Sequence, residues 1–256
     1  MIRFEQVRKV FPGVDDRPAT VAVDSVDLRV AQGETLALIG TSGSGKTTLL
    51  RMVNRLIDPS AGRIVVDDSD VAAQDVIALR RRIGYVIQRG GLFPHLDVAQ
   101  NIGLLCTLEG WPRRRIAERV EMLLKAVQLD PSAVAGRRPQ TLSGGQQQRV
   151  AVARALALDP PVLLMDEPFG ALDPITRAKL HDLMRDLRHA SAKTTLLVTH
   201  DLAEAFALGD RVALIDRGRI VQLGTEDDLR RRPVNDFVAA FVARHAGAAN
   251  QGNHRG

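Results

Sequence analysis

Apolar positions along the chain repeat with two alternating periods. Ile2–Val7 alternates as a strand does, and Val21–Val30 repeats the pattern at Val21, Val23, Val26, Leu28 and Val30, across a turn-rich loop at Phe11–Pro18. Leu36–Gly40 is an unbroken apolar run, and a helical period follows from Lys46 to about Arg55. Asp58–Gly62 is a break. Ile64–Val66 is a β-branched strand, Asp75–Arg82 a short helix and Ile83–Gln88 a strand. From about 90 to 140 the period becomes helical, with Val98–Glu109 and then Arg113–Leu129 between Pro112 and Asp130-Pro131. Gln146–Leu158 is a further helix, and Val162–Met165 reads as a strand buried on both faces. Pro174–His189 (helix), Thr194–Thr199 (strand), Asp201–Leu208 (helix) and the hairpin Arg211–Ile215 with Arg219–Leu223 complete the core. Two short helices, about Glu226–Arg231 and Val234–His245, precede a small, polar tail from Ala246 that is expected to fray. The alternation predicts an α/β core with a mainly parallel sheet and a helical insertion, its ligands lying beyond the C-terminal strand ends.

Three of those strand ends carry chemistry: Gly40, Asp166-Glu167 and, after Thr199, His200. Gly40, Thr41, Ser42, Gly43, Ser44, Gly45, Lys46, Thr47 and Thr48 fit G-x-x-x-x-G-K-[ST], with a strand before and a helix behind as a phosphate-binding P-loop requires. The glycines let successive N–H groups converge on an anion, and the helix start adds further donors. Lys46 supplies charge to the β- and γ-phosphates of a nucleoside triphosphate, and the Thr47 hydroxyl can ligate Mg²⁺. Val162–Asp166 with Glu167 is the Walker B pattern: Asp166 would hold Mg²⁺, and Glu167 would polarise a water as general base.

Composition narrows the class. The chain has 256 residues and a net charge of +5, most of it from arginine. Its basic clusters, Arg80–Arg82, Arg113–Arg115 and Arg230–Arg232, are short and not interleaved with aromatics, so they read as solvated helix faces, with no nucleic acid expected. Apolar runs fall well short of the ~18 residues that cross a bilayer. Met1–Glu5 lacks a signal-peptide layout, and Cys106, the only cysteine, excludes an internal disulfide. A cytoplasmic location is expected.

Leu142, Ser143, Gly144, Gly145 and Gln146 discriminate most. Physically, Ser143 and the two glycine amides at a helix start form a second anion site. Here the chain resembles the ATP-binding cassette (ABC) transporter family, whose signature is this pentapeptide, over about residues 2–232. The resemblance implies a P-loop ATPase core, an N-terminal antiparallel β subdomain and an α-helical subdomain inserted at about 90–158, leaving 233–256 as a C-terminal helix and tail. It implies head-to-tail dimerisation, with ATP and Mg²⁺ between one copy's P-loop and the other's signature. Gln88 then resembles the Q-loop glutamine that touches Mg²⁺ and water, and Ala171-Leu172-Asp173 the D-loop. His200 resembles the switch histidine at the γ-phosphate, and Phe11 stands where the family stacks an aromatic on adenine.

Met52–Pro59 and Ile83–Ile102 resemble the importer ATPases for quaternary amines and related osmoprotectants: glycine betaine, carnitine, choline and proline. That implies membrane permease subunits as partners, a solute-binding protein acting indirectly, and a place on the inner face of the cell membrane. Phe93 and Leu96, after Gln88, would be apolar contacts for the permease's coupling helix, or ordinary core of the insertion. Well-known members carry paired CBS domains after the ATPase; a short form without them is expected, which leaves the solute open to other small molecules. Rival readings are a soluble cassette ATPase acting on nucleic acid or the ribosome, and an unrelated P-loop kinase or GTPase.

Overall fold

Strands β1 (Ile2–Phe11) and β2 (Thr20–Val30) come first, then β3 (Thr35–Gly40), α1 (Lys46–Val53), β4 (Ala61–Val66), β5 (Ser69–Asp70) and α2 (Val76–Arg81). The computed structural model describes residues 1–13, 18–88, 91–170, 172–190 and 193–250. Expectations that fall on Val14–Arg17, Arg89-Gly90, Ala171 and the end of the tail, 251–256, lie outside them. Two units form: Met1–Leu79 with Thr194–Gly256, and Arg80–Lys193.

In the first unit an antiparallel sheet runs β2-β1-β4-β5. Ile2 and Phe4 of β1 are buried, as the alternation predicts, and Val7 is buried one position out of phase with them. Register slips between Phe4 and Val7, where two β1 residues face one on β2. Gln6 takes a φ of 49° there, and its amide donates to Asp27 Oδ1 at 2.9 Å, satisfying the N–H that the bulge takes out of the ladder.

The second unit holds β6 (Ile83–Val86), α3 (Val98–Leu108), α4 (Arg113–Ala126), α5 (Pro131–Val134), α6 (Gly144–Ala155), β7 (Val162–Asp166) and α7 (Pro174–Ala190). β6 and β7 pair in parallel, Val86 opposite Met165. α4 stops short of the expected Leu129. Gln128 turns left-handed (φ 56°), and the buried Leu129 returns its amide to Leu124 O at 2.9 Å. Lys193 donates to Asp159 Oδ1 at 2.7 Å and Pro160 O at 2.9 Å, tying the approach to β7. This hydrogen bond holds the Asp159 carboxyl below its ordinary range. A lowered native pKa stabilises the fold above the unfolded value and loses that effect as pH falls. Asp159→Asn should therefore cost stability near pH 7, by under about 1 kcal/mol at so exposed a carboxylate, and less at about pH 2, where the contribution falls away with protonation. Urea midpoints at the two pH values test this; an equal deficit at both sinks it.

The first unit resumes with β8 (Thr194–Val198), α8 (Leu202–Leu208), β9 (Arg211–Asp216), β10 (Arg219–Gly224), α9 (Glu226–Arg231) and α10 (Asp236–Asn250). β3 lies between β8 and β9, parallel to both. All six residues of β3 are buried, which explains an apolar run with no alternation. Arg217 (φ 46°) and Gly218 (φ 78°) make the two-residue β9–β10 turn, whose twist suits a hairpin. Ala37 and Ile39 of β3 pack with Leu202 and Ala205 of α8 and with Val238, Phe241 and Val242 of α10. α10 continues to Asn250, past the Ala246 at which fraying was expected. Among the described residues no helix is long and apolar enough to cross a membrane.

Candidate active site

Two glycines shape the P-loop. Gly40 ends β3 at φ 148°, and a Cβ there would stand 2.0 Å from Ile215 O. Gly45 caps α1 at φ 100°, with a Cβ position 2.2 Å from Ala22 O. Neither place admits a side chain. Lys46 is 6% exposed; its Nζ donates to Gly40 O (3.0 Å), Thr41 O (2.7 Å) and Ser44 Oγ (3.2 Å). These acceptors offset the desolvation of the ammonium and hold it against the loop. Thr41, Ser42 and Gly43 are exposed, Ser44 is buried, and Thr47 and Thr48 sit half-buried on the first turn of α1. Amides, helix dipole and ammonium thus concentrate positive charge at one place.

His200 follows β8 on a turn built by its neighbours. Thr199 Oγ1 donates to Glu204 Oε2 at 2.6 Å and accepts the Asp201 amide at 3.0 Å. The Asp201 carboxylate in turn caps α8 through the Ala203 amide at 2.8 Å. His200 is exposed and shares a cavity of about 440 Å³ with Gly40, Thr41 and Ser42. Phe11 does not line that cavity. It stands 38% exposed at the end of β1, with Lys9 Nζ 5.2 Å from its ring centroid.

In the other unit β7 delivers Asp166, 1% exposed, at its C-terminal end. Glu167 follows at φ 45°, a left-handed conformation worth about 1–2 kcal/mol of strain in a residue other than glycine. Gln88 Nε2 donates to Glu167 Oε2 at 2.6 Å. The two side chains predicted to manage water are thereby in contact.

The signature opens α6. Ser143 Oγ accepts the Gln146 amide at 3.3 Å, and Gln146 Oε1 accepts the Ser143 amide at 3.0 Å, a reciprocal capping box. Leu142 is buried, which anchors the approach. A Cβ on Gly144 would meet nothing within 4 Å, so the helix start is open; one on Gly145 would stand 2.7 Å from Thr176 Cγ2. Asp173 Oδ1 accepts the Thr176 amide at 3.0 Å, and its hydrogen bonds to Thr176 lower its pKa.

Two residues without a predicted role hold the Gln88 flank. Asn101 is fully buried; its Nδ2 donates to Phe93 O (3.1 Å), Leu96 O (3.1 Å) and Asp97 O (2.9 Å), and its Oδ1 accepts the Phe93 amide (2.7 Å). The sequence sets Asn101 apart by no signal, since Gln100 beside it and Thr107 on the same helix are polar too. Arg154, near the C-terminal end of the signature helix α6, donates to Gly91 O and sits 5.9 Å from the ring centroid of the half-exposed Phe93. Burial pulls its pKa down. Arg154→Met keeps the bulk and removes the donor, leaving a carbonyl short of a partner. It should cost about 1–3 kcal/mol; an unchanged denaturation midpoint would refute the role.

Gly40–Lys46 and His200 are thus brought together in one unit, and Gln88 with Glu167 in the other. Residues 23–170 match the family model described as ABC transporter. Over 244 residues the chain is 50% identical to the glycine betaine/carnitine/choline transport ATP-binding protein OpuCA of Bacillus subtilis (strain 168), covering 95% of this chain and 63% of that one. It is 47% identical over 244 residues to the glycine betaine uptake system ATP-binding protein YehX of Escherichia coli (strain K12), covering 95% and 77%. A solved ATP-binding cassette, dimeric and in a post-hydrolysis state bound to ADP and Pi, matches with a TM-score of 0.81 at 32% identity, over 88% of this chain and 98% of that one. The chain spans a little under two thirds of the length of the Bacillus relative.

Proposed function

Since the chain belongs to the ABC transporter family, we propose that it is the ATP-hydrolysing subunit of an importer for glycine betaine, choline, carnitine or similar osmoprotectants. Gln88 and Glu167 in contact at 2.6 Å are the observation that carries hydrolysis. A carboxylate on a left-handed turn, held by an amide whose own oxygen can take up a water, suits a general base for in-line attack. Gly40–Lys46 grip the triphosphate, Phe11 stacks on adenine, and His200 answers the γ-phosphate. Thr47, Asp166 and Gln88 offer only oxygen donors, the set that Mg²⁺ accompanying ATP prefers. The solute class rests on the identity to the Bacillus and Escherichia proteins.

Two copies are proposed to close head to tail, each P-loop facing the partner's Leu142–Gln146. The open start of α6 at Gly144 and the half-exposed Phe93 support this arrangement, the former as an anion site for the partner's nucleotide, the latter as a contact for a permease subunit. The chain would then work on the inner face of the cell membrane. Co-purification with permease subunits, reconstitution in vesicles and measurement of phosphate release with and without a quaternary amine test the proposal. Turnover that ignores every quaternary amine and responds to a different solute would remove the substrate assignment.

A further inference from the structure

The cavity that holds Thr41, Ser42 and His200 has a second wall, which the nucleotide-binding set does not use. α10 supplies it with Phe241, Arg244 and His245. The wall is firmly placed: Phe241 is 9% exposed and packs with Leu202 and Ala205, within the core that β3 shares with α8. His245 stacks on the Phe241 ring, centroids 4.3 Å apart, and its Nδ1 lies 2.8 Å from Phe241 O. A carbonyl only accepts, so Nδ1 carries a hydrogen and the imidazole is oriented by its own helix.

The residues lining this cavity include three basic side chains and no acidic one. The exposed Thr41 and Ser42 add hydroxyls beside the loop whose amides and Lys46 already favour anions. At about 440 Å³ it takes a small anion with its water. We propose that Arg244 and His245 of α10, together with His200, form a binding site for inorganic phosphate at the outer edge of the P-loop. There the anion released by hydrolysis is held after it leaves the nucleotide. The inference rests on the reading of ATP hydrolysis at the P-loop, since hydrolysis would deliver phosphate to this wall.

Phosphate inhibition of Mg-ATP hydrolysis tests it, alongside ³¹P line-broadening titrations of inorganic phosphate into the nucleotide-free chain. Arg244→Gln should raise the phosphate inhibition constant about fivefold, the scale of one charge-assisted contact at an exposed site, while KM for ATP moves less than about twofold. Arg244→Lys should recover most of the loss. Equal inhibition of wild type and Arg244→Gln overturns the proposal, as does a KM shift as large as the inhibition shift. A chain that turns over no ATP defeats the parent reading instead. The titration still decides the site in that case: weaker phosphate binding by Arg244→Gln supports it, and equal binding overturns it.

Discussion

Glu167→Gln is expected to lower phosphate release at least a hundredfold, about the lower bound for removing a positioned general base, while ATP still binds. The substitution is nearly isosteric. The new amide oxygen can go on accepting from Gln88 Nε2, now at 2.6 Å from the carboxylate, so the turn should survive. What is lost is the capacity to take a proton from water. If the dimer closes on ATP and opens on hydrolysis, this variant should accumulate as an ATP-bound dimer visible by light scattering, at protein concentrations where the wild type is monomeric. Steady-state phosphate release near the wild-type rate would strip Glu167 of its role. The Asp166→Asn variant offers a contrast, because it acts on the metal side of the reaction. It should lose turnover without retaining the same Mg²⁺-dependent dimer.

The parts of the fold legible in the sequence were those where one physical demand dominates. β3 and β7 read plainly because strands buried on both faces carry unbroken apolar runs, Leu36–Ile39 and Val162–Met165. The P-loop read plainly because Gly40 and Gly45 occupy positions that backbone atoms at 2.0 Å and 2.2 Å close to any side chain. Boundaries failed where the stop signal was not a glycine. Gln128 adopts the left-handed turn after α4, and nothing in its residue type announces that. The one-turn helix α5 was missed because four residues carry no period, although Asp130 caps it through the Ser132 amide at 2.9 Å. At α10 the period places the helix end at His245, and the helix runs on to Asn250 through a stretch rich in alanine, the residue most favourable to helix.

The same division runs through the site. Residue types with one chemical use, a lysine after a glycine loop or a carboxylate pair after a buried strand, could be named in advance. The strain at Glu167 could not, since φ is set by the chain around it. Nor could the work of Asn101 and Arg154, whose partners are main-chain atoms and leave no trace in side-chain pattern. The α10 wall was hidden for a related reason. Arg244 and His245 lie some two hundred residues from Thr41, and only the packing of Phe241 against α8 puts them beside it.

Two inactive variants should restore each other when mixed. Lys46→Ala removes the ammonium that Gly40 O, Thr41 O and Ser44 Oγ now hold at the P-loop. Gly144→Asp leaves the P-loop alone and places a negative charge at the start of α6. A Cβ there meets nothing within 4 Å, and an acidic residue suits a helix start, so the fold should tolerate the change while the anion site does not. Each homodimer then lacks one half of both its sites. A head-to-tail heterodimer brings the intact P-loop of the Gly144→Asp chain against the intact signature of the Lys46→Ala chain. Its other site combines both lesions. With random exchange about half the dimers are mixed and each has one good site of two, so the equimolar mixture should reach about a quarter of the wild-type rate from parents that are nearly inactive. If the P-loop instead met the signature of its own chain, no pairing could cure either lesion. A mixture that forms heterodimers, verified with two different affinity tags, yet hydrolyses no more ATP than its parents, would refute the head-to-tail site and return both halves to one chain.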